Sequence, residues 1–151
     1  MLARTHQIIA LFVALLLFNK ISNNYLFVIV VALSTLIPDI DSSYSKLGKH
    51  IIFRPLQFFV IHRGIFHSFF IGILFSIVLY LFYPIVGFGF FIGYNMHIIT
   101  DSLTKEGTRA FWPFRFQIKG YIKTDGIIEN IIFFMFFIAD SYMILKIFGL
   151  F

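Results

Sequence analysis

Residues 127–148 read IIENIIFFMFFIADSYMILKIF. A helix rises about 1.5 Å per residue and needs roughly 20 apolar residues to cross the hydrocarbon core of a bilayer. This run meets that length, so the sequence predicts a membrane-spanning helix here. Working back toward the amino terminus, shorter apolar runs occupy 85–100, 69–83, 25–37 and 7–18. Tyr83-Pro84 separates the middle pair, and the polar hexamer NKISNN at 19–24 joins the first two as a tight hairpin. Runs this short are accommodated by tilting, local thinning of the bilayer, or packing within a bundle. The expected fold is therefore all-α: one integral membrane helical bundle over residues 1–151, with about five membrane helices. Between the second and third helices, SSYSKLGKHIIFRPLQFFV at 42–60 is basic and aromatic, and is expected to form an amphipathic segment along the surface.

Composition agrees with a bilayer environment. The chain is 60% hydrophobic and only 13% charged, against roughly 25% charged for a soluble domain. Its 23 phenylalanines exceed what a soluble core of this size would hide. The absence of cysteine excludes a disulfide framework and any thiolate metal site. The start, MLARTHQIIALFVALLLFNK, has a basic residue before an apolar run but no small-x-small cleavage pattern, so it is read as a retained first helix.

Threading five helices through a membrane brings distant polar fragments to one face. These are RTHQ (4–7), PDID (38–41), IHRGIFHS (61–68), MHIITDS (96–102) and GIIEN (126–130). The same face takes Arg4, Lys46, Lys49, Arg54, Arg63, Lys105, Arg109, Arg115, Lys119 and Lys123, leaving Lys20 and Lys146 for the other. Positive charge concentrates on the cytoplasmic side of membrane proteins. The amino terminus and the polar cluster are thus expected inside, in the inner membrane of a cell. In this setting the net charge of +5 reports attraction to anionic lipid, and no direct nucleic-acid partner is expected.

Ionisable side chains at membrane depth cost free energy and mark functional sites. His97 and Asp101 are four apart and share a helix face. Pro38 stops the second helix; an extended Asp39-Ile40-Asp41 beyond it would point both carboxylates to one side. Paired carboxylates repel unless a cation sits between them. His62 and His67 lie roughly 140° apart on an ideal helix, so both reach one site only if the helix begins within their motif, which Gly64 permits. Arg63 beside them suits a phosphate or carboxylate oxygen. His6 opens the first helix and Glu129 the fifth. The pool His6, Asp39, Asp41, His62, His67, His97, Asp101 and Glu129 is large enough for one divalent metal ion, or for two sharing a carboxylate. Mixed nitrogen and oxygen donors favour zinc, manganese or iron over magnesium or calcium. GTRAFWPF at 107–114 places Trp112 and several phenylalanines at headgroup level, with Lys105 and Arg109 available to draw anionic headgroups toward the metal.

In this order, Thr5-His6, LIPDID, HRGIFHS, HIITDSLTKEG and FWPF resemble the LexA-binding, inner-membrane-associated hydrolase family, also called membrane-bound metal-dependent hydrolases. The resemblance covers residues 5 to 114. It implies a small multi-helix membrane protein with a hydrolytic metal centre. By motif match it implies His6, Asp39, Asp41, His62, His67, His97 and Asp101 as metal-site residues, with Arg63 as a neighbour. The family's second histidine motif usually has threonine where this chain has Phe66.

The expected function is a metal-dependent hydrolase acting on a phosphoester or lipid ester at the cytoplasmic membrane surface. Asp39, Asp41, Arg63 and Glu129 are the expected catalytic residues. Two other functions use the same cluster: a non-catalytic regulator with a structural metal and a protein partner, and a metal transporter.

Overall fold

The computed structural model describes residues 1–42, 48–54 and 64–150. Five α-helices account for most of them: α1 (Ala3–Leu17), α2 (Asn24–Ser34), α3 (Phe69–Phe82), α4 (Pro84–Ser102) and α5 (Ile127–Ile147). Short 3-10 turns occupy Phe18–Lys20, Pro38–Asp41, Ile51–Phe53 and Ile65–His67. The expected all-α class holds, and strands are absent among the described residues. Two stretches, Asn24–Asp41 and Ile127–Ile147, are long and apolar enough to cross a bilayer, while Phe69–Phe82 is a shorter apolar helix. Most of the expected surface segment at 42–60 lies outside the described residues. Its described part carries Ile51 and Ile52 fully out on the surface.

Sequence chemistry explains the breaks. Pro84 cannot donate a backbone hydrogen bond and pushes the preceding residue out of the helical region; Tyr83 is accordingly extended, and Pro84 takes the first position of α4. Ser68 caps α3, its hydroxyl accepting a hydrogen bond from the Phe70 amide. α4 is the hub, packing against α1, α2 and α3, while α5 lies against α1. One apolar core joins Ala10 and Ala14 of α1 to Phe27 and Val31 of α2; a second gathers Phe90, Tyr94, Ile98 and Ala110.

The surface inverts the pattern of a soluble protein. Leu81, Phe82 and Ile138 are more than 60% exposed, whereas His6, His67, His97, Asp101 and Glu129 are buried. Lipid tails are as apolar as leucine, so helix association in a bilayer relies on close packing rather than on water exclusion. Gly93 supplies that packing. A methyl group there would lie 2.1 Å from Ser34 Oγ and 2.3 Å from the Val31 carbonyl oxygen. Gly93→Ala is therefore expected to push α2 from α4 and destabilise the protein by about 1–3 kcal/mol. Thermal unfolding in detergent measures this; an unchanged midpoint would mean that the two helices do not meet at this glycine.

Candidate metal centre

Four segments bring donor atoms to one end of the bundle. α1 supplies His6, the Pro38–Asp41 turn supplies Asp39, the Ile65–His67 turn supplies His67, and α4 supplies His97 and Asp101. His67 lies just before α3, which begins at Phe69 with Ser68 as its cap, rather than in the helix's first turn. Its turn is pinned from outside. The Phe69 amide donates to the Ala110 carbonyl at 2.8 Å, the Thr108 hydroxyl donates to the His67 carbonyl at 3.4 Å, and the Tyr94 hydroxyl donates to the Phe66 carbonyl.

The distances have a simple pattern. His67 Nε2 lies 3.7 Å from Asp39 Oδ1 and 3.6 Å from Asp101 Oδ2. His97 Nε2 lies 3.6 Å and 3.7 Å from the same two oxygens. Four donor atoms thus form a ring with nearly equal edges. A direct N–H···O hydrogen bond spans about 2.7–3.2 Å, so these edges are too long. A tetrahedral ion with bonds of about 2.1 Å holds neighbouring ligands about 3.4 Å apart, within a few tenths of the observed edges. His6 Nε2 lies 3.2 Å from Asp101 Oδ1, which also takes the Met1 nitrogen at 2.6 Å.

Hydrogen bonds at the back of the rings decide which nitrogen faces inward. His97 Nδ1 is 2.8 Å from the Thr35 carbonyl oxygen, which can only accept, so Nδ1 carries the hydrogen and Nε2 the lone pair. The Thr100 hydroxyl lies 2.9 Å from the carbonyl oxygens of both Met96 and His97 and is hydrogen-bonded to His6 Nδ1, which holds the His6 ring in place behind the cluster. The inward nitrogen of His97 therefore directs a lone pair at the Asp39 and Asp101 oxygens, whereas His6 Nε2 lies at hydrogen-bond distance from Asp101 Oδ1. A lone pair and a carboxylate oxygen repel in a medium of low dielectric, and a cation between them removes the repulsion. His97 Nε2 is buried without a hydrogen-bond partner, as a metal-ligating atom would be once its ion is removed. The residues present fit a divalent ion.

Two donor triplets are geometrically compact: His6–His97–Asp101 and Asp39–His67–His97, each with ligand atoms within 4.8 Å of one another. Among the described residues, both triplets draw on the same lone pair of His97. Asp39 is the donor nearest solvent, with 22% of its side chain exposed, against 3% or less for the other four.

The structure changes two expected geometries. Residues 38–41 form a 3-10 turn, not an extended strand. With three residues per turn, positions two apart point roughly 240° away from each other, so Asp39 and Asp41 cannot share a face. They instead approach His67 from its two ends, Asp39 at Nε2 and Asp41 Oδ2 at Nδ1, 3.3 Å away. Asp41 thereby stands behind the His67 ring, on the side away from Asp39. Burial pulls the His67 pKa down, but the attraction of Asp39 and Asp41, with Asp101 adding, outweighs it and pushes the group up to about 9. Without an ion, a proton on His67 neutralises part of this negative cluster.

Glu129, expected as a catalytic carboxylate, is engaged elsewhere. Its two oxygens accept from the backbone amides of Leu2 at 2.6 Å and Asp125 at 2.7 Å. This ties the start of α1 to the start of α5, because Leu2 caps α1 and Asp125 precedes α5. His62 and Arg63 lie outside the described residues. Thr100 is the contributor that sequence reading passed over; it sits beside His97 on α4, but its partner His6 is 94 residues away, so no local spacing announces the pair.

A bundle with apolar residues outside and histidines and carboxylates gathered at one buried end defines a helical membrane protein. The chain belongs to the YdjM inner membrane protein family, whose profile matches residues 1–150. It is 33% identical over 96 residues to the inner membrane proteins YdjM of Escherichia coli (strain K12) and Shigella flexneri, covering 58% of this chain and 49% of each relative. The chain thus spans about half the length of the curated relatives it matches. No solved structure matches it.

Removing the Glu129 carboxylate leaves two backbone donors unpaired at the α1–α5 junction. Each unsatisfied buried donor costs about 1–3 kcal/mol. Glu129→Ala is expected to lower unfolding stability by at least that amount, read by thermal melting. Lost hydrolysis at unchanged stability would instead support its expected catalytic role.

Proposed function

We propose that this chain is a metal-dependent hydrolase of the inner membrane that cleaves a phosphoester or lipid ester at the cytoplasmic surface. One observation carries it: the ring of His67, His97, Asp39 and Asp101 donor atoms, with edges of 3.6–3.7 Å and one member open to solvent. His67, His97 and Asp101 would hold the ion and leave the position toward Asp39 for water, with His6 in reserve at Asp101; mixed nitrogen and oxygen donors favour zinc, then manganese or iron. A zinc ion held there would lower the pKa of a bound water to about 7. Asp39, at the mouth, would accept a proton from water attacking the ester. Asp41 holds the His67 ring in position through Nδ1. Arg63 steadies charge on the phosphoryl oxygens in this scheme. The resemblance to the LexA-binding, membrane-bound hydrolase family supports both the reaction class and the residue set.

The burial of four of the five donors favours a second reading, a non-catalytic regulator whose closed metal site is structural and whose basic loops meet a protein partner. Elemental analysis and ester-hydrolysis assays on the detergent-purified protein separate the two. Hydrolysis requires about one bound ion per chain and turnover of a phosphodiester or phospholipid, with both lost in His97→Ala and Asp101→Ala. Asp41→Asn is expected to keep the ion with affinity weakened about 10–100-fold. Full activity in both alanine variants would remove the proposed site. A tightly held ion with no turnover would favour the regulator.

Cytoplasmic sidedness rests on ten of the twelve basic residues threading to the site's face. The chain has no cysteine, so introduced ones report without background. In intact spheroplasts, Lys20→Cys is expected to react with a membrane-impermeant maleimide, and Lys123→Cys only after permeabilisation. The reverse pattern would put the site outside.

A further inference from the structure

The segment 103–126 joins the end of α4 to the start of α5, a helix long and apolar enough to cross a bilayer, so its α5 end lies where that span meets the bilayer surface. It is folded rather than slack. Isolated bridges pair Thr104 with Ile122 and Thr108 with Ile118, and Gly107 takes a left-handed turn (φ 62°) where a side chain would strike the Ile118 carbonyl. Its core-facing residues Thr104, Thr108 and Ala110 are fully buried, which turns the rest outward.

What faces outward has one chemical character. Lys105, Arg109, Arg115, Lys119 and Lys123 are all exposed, and none forms an ion pair with a carboxylate among the described residues. The segment's two acids are accounted for: Glu106 accepts from the Thr124 hydroxyl at 2.8 Å, and Asp125 lies 4.0 Å from Arg4. Between the cations stand exposed rings, with Phe114 and Phe116 more than half exposed, and Phe111 and Trp112 about a third exposed. Phe111 also packs on Phe69 and Phe116, giving the ring group a fixed base.

We propose that segment 103–126 is an anionic-phospholipid binding surface, in which Arg109, Arg115 and Lys119 hold headgroup phosphates while Phe111, Trp112, Phe114 and Phe116 enter the interface. Amphipathic rings settle at headgroup level, and basic residues near an anionic leaflet each strengthen binding several-fold. Nucleic acid and acidic proteins fit these charges too. They would have to displace lipid from a surface that runs directly into the α5 span. The surface adjoins the metal centre through the Phe69–Ala110 and Thr108–His67 hydrogen bonds, but it stands whether or not that centre is catalytic.

Trp112 is the only tryptophan in the chain, so its fluorescence reports on this surface alone. The experiment places the full protein in nanodiscs and titrates brominated phosphatidylglycerol against brominated phosphatidylcholine, giving a relative binding constant from quenching. A several-fold preference for phosphatidylglycerol is expected. It should fall to near unity in Arg109→Gln/Arg115→Gln/Lys119→Gln and survive in the opposite-face control Lys20→Gln/Lys146→Gln. No preference in the unaltered protein, a preference untouched by the triple variant, or a Trp112 reached by aqueous iodide but by neither lipid would each overturn the proposal. Protection of Trp112 by added oligonucleotide or acidic peptide in place of lipid would do so too.

Discussion

Asp101 is a carboxylate at the end of an apolar helix with 2% of its surface exposed. A charge in that position is costly unless other groups neutralise it, and the surrounding architecture is arranged to do so. Its two oxygens face His6, His67 and His97, which come from three different parts of the chain. His97 stands one turn back on the same helix, but neither His6 nor His67 reaches Asp101 unless α1 and the 65–67 turn meet the end of α4 at one level. The electrostatic need of a single buried side chain therefore restricts the relative heights of most elements in the bundle.

Apolar burial does little to impose that arrangement, because the outer faces of α3 and α5 are as greasy as the cores. Close contact and polar ties replace it. Gly93 lets α2 approach α4 near enough for the Thr35 carbonyl, one turn further on, to accept from His97. Glu129 fixes α5 to the start of α1, three residues before His6 on that side of the site. The loop after α4 grips the His67 turn through two backbone carbonyls and a threonine hydroxyl. Packing and site geometry are the same set of contacts seen from two directions. This connection explains why a methyl group added at Gly93, one turn from His97, would disturb the cluster.

The orientation of the imidazoles is a finer consequence. Thr35 contributes a carbonyl oxygen that fixes a hydrogen on His97 Nδ1, and Thr100 a hydroxyl bonded to His6 Nδ1. Asp41 stands behind His67 Nδ1 from within the cluster. Three backing groups of different chemistry thus hold the three rings with Nε2 turned toward the carboxylates.

By itself, the sequence determined the helical class, the one-sided gathering of polar fragments, and the pairing of His97 with Asp101, because hydropathy, charge and i,i+4 spacing are local properties. It also announced His6, Asp39 and His67 as members of the cluster, since an ionisable residue in an apolar chain is conspicuous wherever it lies. Only the tertiary structure decided what each acid does. Asp39 and Asp41 are two residues apart in the chain, and a 3-10 turn rather than a strand sends them to opposite ends of one imidazole. Glu129 sits at the right end of the bundle, yet backbone amides more than a hundred residues apart claim its oxygens. Which donor reaches which acceptor depends on distances between segments far apart in the chain, and those distances are set by packing.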